Sequence, residues 1–379
     1  MRAWPLSGHD GAAFHAAFPG AFPLADTGGL ERPHLCVLID AEEDYDWNRP
    51  YSRANTQVTS FHNVARAQTV FDHHAIRPCY LVSYPIAADD DAAALLRGWL
   101  AQDRCAVGAH LHPWVTPPDE EVICLSNSFP CNLPAELEQR KLQVLSVAIV
   151  DRLGQAPKVY KAGRGGFRFE RREMLTDAGF EVDLSVQPGR NYAGLGGGPN
   201  FLGYPSQPFW SDQSRRLLHL PMTYGVAGPT HELTDRGADR ILASSTARRL
   251  RVPTLLSRFG WLERALLTPD GMTLDAMRRL VGKLAGRGQR VFILSMRSSS
   301  FTPGCTPYAR TTLEVDHLLA RLNSFVSFFK ADLGGVPATP LEIRQALTSR
   351  EAGGGRFASL PAQAERHLPI ISGAGCAPG

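Results

Sequence analysis

Two histidines stand one residue apart in Ala106-Val107-Gly108-Ala109-His110-Leu111-His112-Pro113-Trp114, at the end of a short run of small apolar residues. Side chains two apart on a strand leave the same face, so the pair can share one ligand site. The same spacing also fits a structural or exposed pair. A second polar group closes another apolar run: His34-Leu35-Cys36-Val37-Leu38-Ile39 leads into Asp40-Ala41-Glu42-Glu43-Asp44. One carboxylate with two imidazoles is a set that holds catalytic zinc and leaves a position open for water. Asp40 and Glu42 are two apart, so one can bind a metal while the other accepts a proton. The plain alternative is a solvated acidic turn. An EF-hand loop does not fit, because no glycine follows at the required place and a strand rather than a helix precedes.

These residues act together only if the fold carries their strand ends to one rim. The middle of the chain alternates short apolar runs with longer helical patterns. Strands are expected at 34–39, 79–82, 106–110, 158–162, 181–185 and 290–296. Helices are expected at 59–75, 92–100, 134–153, 171–178, 272–287 and 311–332. Such alternation predicts an α/β fold with a mainly parallel sheet, open or closed into a barrel. Sites in these folds lie at the C-terminal ends of the strands. Five such ends carry reactive side chains: Asp40 to Asp44, His110 and His112, Gly163-Arg164, Asp183-Leu184-Ser185, and Arg297-Ser298-Ser299.

The chain has 379 residues, 44% hydrophobic and 20% charged, enough for one large domain or two with an ample core. Its 40 basic and 37 acidic residues are spread evenly, so it lacks the basic stripe of a nucleic-acid binder. The seven cysteines (36, 79, 105, 124, 131, 305 and 376) form no Cys-x-x-Cys pair and are expected to be reduced thiols. No stretch approaches the roughly 18 apolar residues of a membrane span, and Gly, His, Asp and Pro break the N-terminus before any signal-peptide core. Action in the cytoplasm is the expectation. Residues 1–30 read as an irregular leader, 31–345 as the main α/β domain and 346–379 as a Gly/Pro-rich tail of little stable structure.

In their combination, these strand-end motifs resemble the polysaccharide deacetylases of carbohydrate esterase family 4. The segments GAHLHPWVTPP, NSFPCNLP and AGRGGF are similar to a bacterial WalW-type branch of that family. The resemblance spans roughly residues 33–335. It implies a distorted (β/α) barrel of about seven strands that removes N-acetyl groups from a sugar or glycan with a divalent metal. Zinc suits a His/carboxylate set best, though other divalent ions fit it too. By that resemblance Asp40 is the base, Glu42, His110 and His112 bind the metal, and Arg164 orients the base. Asp183 would pair with a catalytic histidine and tune it. The family's second metal histidine would fall where Trp114 stands, so His112 must serve instead.

The last strand departs from the family pattern. Where relatives carry Leu-His-Ser, this chain has Leu294-Ser295-Met296-Arg297-Ser298. Arginine stays protonated near neutral pH and is a poor proton donor, so Arg297 is read as an oxyanion stabiliser, a clamp for an anionic sugar, or a partner of Asp183. His219 and His231 are candidate replacement acids outside any motif. Trp114, Tyr192 and Trp210 are candidate sugar-stacking residues, with Tyr204 and Phe209 nearby. The loop Gly194-Leu195-Gly196-Gly197-Gly198-Pro199 lacks the strand and helix a dinucleotide site needs. Two alternatives remain: a silent carbohydrate-binding relative, and a C–N hydrolase acting on a non-sugar amide.

Overall fold

The computed structural model describes residues 22–46, 49–226 and 264–353. His231 and Cys376 lie outside them. The apolar runs form the strands β1 (His34–Ala41), β2 (Cys79–Val82), β3 (Ala106–Leu111), β4 (Val159–Ala162) and β5 (Val182–Asp183). Shorter strands follow: β6 (Phe209–Trp210), β7 (Leu218–His219), β8 (Tyr224–Val226) and β9 (Arg264–Leu266). The last two are β10 (Val291–Arg297) and β11 (Val336–Pro337). One curled sheet runs in the order β10-β1-β2-β3-β4-β5-β7-β6, parallel from β10 to β7, with β6 antiparallel at its edge and β11 against the start of β1. The helices expected at 134–153, 272–287 and 311–332 appear as α-helices Ala135–Leu153, Leu274–Gly286 and Thr312–Ala331. Thr311 and Glu314 cap the last of these reciprocally. The span 59–75 divides into a 3-10 turn, Thr59–Val64, and the α-helix Ala65–His73.

Successive strand residues face opposite layers, and the two core clusters separate along that alternation. Cys36, Leu38, Leu81, Val159, Val182, Leu218, Val291 and Ile293 fill the inside of the curl. Leu35, Val37, Ile39, Val107, Ala109, Leu111, Phe292 and Leu294 pack outward against the helices. Both faces are covered, which is why the parallel strands read as continuous apolar runs. Ile343 and Leu347, on the terminal helix Pro340–Gly353, join the inner cluster. That helix extends past residue 345. At the other end Leu24 bridges to Phe209, and Ala25 and Leu30 are buried.

The curl is drawn together between β7 and β10 by isolated hydrogen bonds. Met222 N donates to Val186 O (2.9 Å), Leu267 N to Thr223 O (2.8 Å) and Ser295 N to Leu267 O (3.2 Å). Ile293 N donates to the Thr223 hydroxyl at 2.8 Å. The strands from β6 to β9, each two or three residues long, are too short to show a periodicity in the sequence.

Candidate metal and catalytic site

Alternation decides which strand-end residues meet. Cys36 and Leu38 face inward, so Asp40 does too, and Glu42 continues the same side past the end of β1. On β3 the outward residues are Val107, Ala109 and Leu111, which turns His110 and then His112 into the curl. Glu42, His110 and His112 each offer a ligand atom, all within 4.8 Å of one another. Glu42 Oε2 lies 3.7 Å from each of the two Nε2 atoms.

The imidazoles are oriented from behind. His110 Nδ1 donates to the Lys161 carbonyl (3.0 Å), and His112 Nδ1 to Glu43 Oε1 (2.8 Å). With Nδ1–H committed, Nε2 is the nitrogen each ring presents toward the common point, which is the arrangement of a metal-binding histidine held by an outer carboxylate or carbonyl. The donor set therefore fits a divalent cation. Burial alone would raise the Glu43 carboxyl, but the His112 imidazole outweighs it and holds the pKa below its ordinary value. Burial would lower His112 in turn, and Glu43 reverses this and holds its pKa up.

Two further contacts fix the His112 segment. A side-chain carbon at Gly163 would lie 2.5 Å from the Leu111 carbonyl oxygen and 2.6 Å from the His112 ring, so only glycine lets β4 end this close to the ligand. Lys141, fully buried on the helix Ala135–Leu153, donates to the carbonyls of Pro113 (3.0 Å) and Thr116 (2.5 Å) and pairs with Glu121 at 2.9 Å. Its ammonium pins the turn that follows His112.

Asp40 stands beside the ligands, and its cationic partner is Lys161. The Lys161 ammonium lies 2.7 Å from both carboxylate oxygens. Burial would raise the Asp40 carboxyl, yet Lys161 outweighs it, so the carboxylate is held ionised below its ordinary pKa. This corrects the expectation for Arg164. Its φ of 57° and ψ of 17° are left-handed, a conformation that strains a non-glycine residue by roughly 1 kcal/mol. The side chain swings out of the curl, over the Phe129 ring (4.1 Å) and toward Tyr51 (5.2 Å), and donates to the Ser128 hydroxyl. The segments NSFPCNLP and AGRGGF are thus one contact. A charged residue inside the otherwise apolar strand Val159-Tyr160-Lys161-Ala162 is the sequence signal for Lys161, and sequence reasoning passed it over.

Asp183 and Arg297 are not partners. Val182 and Leu184 face inward, so Asp183 faces the helix layer, whereas Arg297 follows Val291 and Ile293 on the inner face. Asp183 Oδ2 accepts from His219 Nδ1 at 2.8 Å, and the Ser211 hydroxyl lies 2.8 Å from His219 Nε2. His219 is fully buried there, facing the helix layer and not the curl. Arg297 Nε instead pairs with Glu42 Oε1 at 3.2 Å, leaving Oε2 to the imidazoles. Burial would lower the Arg297 pKa, but Glu42, Asp270 and Asp40 outweigh it, so the guanidinium stays charged.

Near Arg297 stands Asp270, 7% exposed, its carboxyl facing the Ser300 hydroxyl and the Arg297 backbone N–H without a well-formed hydrogen bond among the described residues. Burial pushes its pKa up to about 6. The stacking candidates divide. Trp210 is 1% exposed in the inner core and cannot meet a sugar. Trp114 is enclosed, with ring centroids 4.3 Å from His112 and 4.4 Å from Tyr51, so it props those rings rather than offering a face. Tyr192 is half-buried, its hydroxyl donating to Gln187 at 2.5 Å. Tyr45 and Tyr51, stacked at 5.2 Å and absent from the sequence reading, are the aromatic rings nearer the surface.

No family model matches the chain, and no curated protein matches it by sequence. Among solved structures, a protein from Mycobacterium smegmatis assigned as a polysaccharide deacetylase superposes with a TM-score of 0.50, covering 90% of this chain and 99% of that one at 13% identity. Puue allantoinase gives 0.47 at 12% identity over 91% of this chain and 98% of its own. A family 4 carbohydrate esterase from Streptomyces lividans gives 0.36 at 9% identity over 78% and 90%. At these identities the likeness is one of fold, and this chain has the curled α/β barrel of the polysaccharide deacetylases.

Proposed function

We propose that the protein is a metal-dependent hydrolase that removes acetyl groups from a sugar or polysaccharide precursor. The observation that carries this reading is the convergence of Glu42, His110 and His112 beside an Asp40 carboxylate held ionised by Lys161. A divalent cation bound in such a set supplies Lewis acidity, polarising an acyl carbonyl and lowering the proton affinity of water. Zn2+ is the cation such ligands favour. Asp40 accepts the proton of the attacking water, and Lys161 keeps the carboxylate aimed and charged until it does. Arg297, permanently protonated, offers positive charge beside Glu42 but no proton for a leaving amine. With His219 enclosed, esters, whose leaving alcohol needs less help, are better substrates than amides.

The test is acetate release from a panel of N- and O-acetylated sugars by protein loaded with Zn2+. Release should vanish on chelation and fall at least about a thousandfold in Asp40→Asn. Persistence of release in that variant would refute the assignment of the base. The Arg297–Glu42 ion pair favours a second reading, a silent sugar-binding relative in which Arg297 holds a ligand carboxylate. Under the hydrolase reading, Arg297→His raises turnover of an N-acetylated oligosaccharide. No acetate from any panel member, with metal bound and sugar retained, would establish the silent relative.

A further inference from the structure

Among the described residues, Arg164 is a cation without an anion: no carboxylate lies within ion-pair distance of its guanidinium. Its contacts are the Ser128 hydroxyl and the faces of Phe129 and Tyr51. The nearby acids are engaged elsewhere: Glu42 with Arg297 and Glu43 with His112. Tyr51 and Tyr45 also wall a cleft of about 1090 Å³, whose Asp44 accepts from Ser60 N (3.2 Å) and whose Asp46 pairs with Arg49 (3.2 Å). Burial depresses the Arg164 pKa, the sign of a guanidinium partly stripped of water without a compensating charge.

Its position is tied to the metal ligands by stacked rings. His112 stacks on Trp114, Trp114 packs against Tyr51, and Tyr51 lies beneath Arg164. The segment Gly163-Arg164-Gly165 places an arginine at a left-handed position where glycine would be unstrained, so backbone geometry does not call for this side chain. A planar guanidinium with unused donors, mounted on aromatic faces, is suited to bidentate capture of a carboxylate or phosphate.

We infer that Arg164 forms an anion subsite, and that the substrate is an acylated sugar bearing a carboxylate or phosphate, displaced from the acyl group by the span of the enclosed Trp114–Tyr51 stack. This inference rests on the acyl-sugar reading above, and its test separates the two. Equilibrium binding to the full chain, with and without Zn2+, is followed by tryptophan fluorescence for N-acetylglucosamine, N-acetylglucosamine 1-phosphate and N-acetylmuramic acid. At least one anionic sugar should bind tenfold or more tightly than the neutral one, and which of the two does so identifies phosphate or carboxylate. The preference should shrink to near unity at 0.5 M salt. It should do the same in Arg164→Asn, a residue that tolerates the left-handed conformation, and in Arg164→Gly. Equal affinities, no binding by any of the three, or a preference that survives high salt or either folded variant would overturn the subsite. Failure of acetate release overturns the hydrolase reading and leaves these binding ratios to be judged by themselves.

Discussion

Two imidazole–carboxylate pairs lie on opposite faces of the same sheet with nearly the same geometry. His112 Nδ1 meets Glu43, and His219 Nδ1 meets Asp183, each at 2.8 Å and each buried. They differ in the other ring nitrogen. His219 Nε2 is closed by the Ser211 hydroxyl, completing a satisfied network. His112 Nε2 faces Glu42 and lies in one cluster with His110. A buried imidazole–carboxylate pair by itself therefore does not mark a reactive centre. What marks one is a ring nitrogen left unclosed where other donors converge.

Mutations on the two faces should give opposite signatures. His110→Ala removes a candidate ligand whose Nδ1 is held, among the described residues, by a backbone carbonyl, so Zn2+ affinity, read by chelator competition, should fall at least a hundredfold with little loss of melting temperature. His219→Ala leaves buried Asp183 Oδ2 without its partner, Oδ1 keeping Ser185, and should cost about 1 to 3 kcal/mol in denaturant unfolding, leaving Zn2+ affinity unchanged. Should His219→Ala weaken metal binding as much as His110→Ala does, the contrast between the two faces would collapse. Glu43→Gln keeps the shape of the outer partner but weakens its charge, and a ten- to hundredfold loss of Zn2+ affinity is expected.

The smallest effect concerns a buried carboxyl whose neighbours, Arg297 and Ser300, only partly offset its burial. Asp270 has a folded-state pKa of about 6, above the roughly 3.9 of an unfolded aspartate. The folded state thus binds its proton more readily. The stability this confers is full below about pH 4 and is lost as the pH rises through about 6. Asp270→Asn should flatten that part of the stability profile and gain about 1 to 3 kcal/mol at pH 7. An unchanged profile would show that another group closes the carboxylate in solution.

The period-two rule carried much of this site from sequence. It placed Asp40 with Glu42 and His110 with His112, because each pair sits on or just past a strand whose inward face is fixed by its apolar residues. The same rule, applied to β4, separates Lys161 from Arg164, but the motif around Arg164 drew the assignment instead. Arg164 leaves the strand pattern because its own backbone is left-handed. His219 and Ser211 were not legible, since they lie on or beside two-residue strands inside a long irregular stretch, and their pairing with Asp183 spans elements with no shared periodicity. Trp210 illustrates the converse: a large aromatic in a Gly/Pro-rich stretch is filler for the inner core.

The uneven attachment of β10 has a mechanical consequence. Along one edge β10 is registered to β1 over seven residue pairs, from His34 and Val291 to Asp40 and Arg297. Along the other, among the described residues, it is held by isolated bonds to Leu267 and Thr223. Breathing of the barrel should concentrate at this second edge, as a book opens at its fore-edge while the spine holds. Arg297 then travels with Asp40 and Glu42, so the fore-edge can part without altering the charge geometry at the spine.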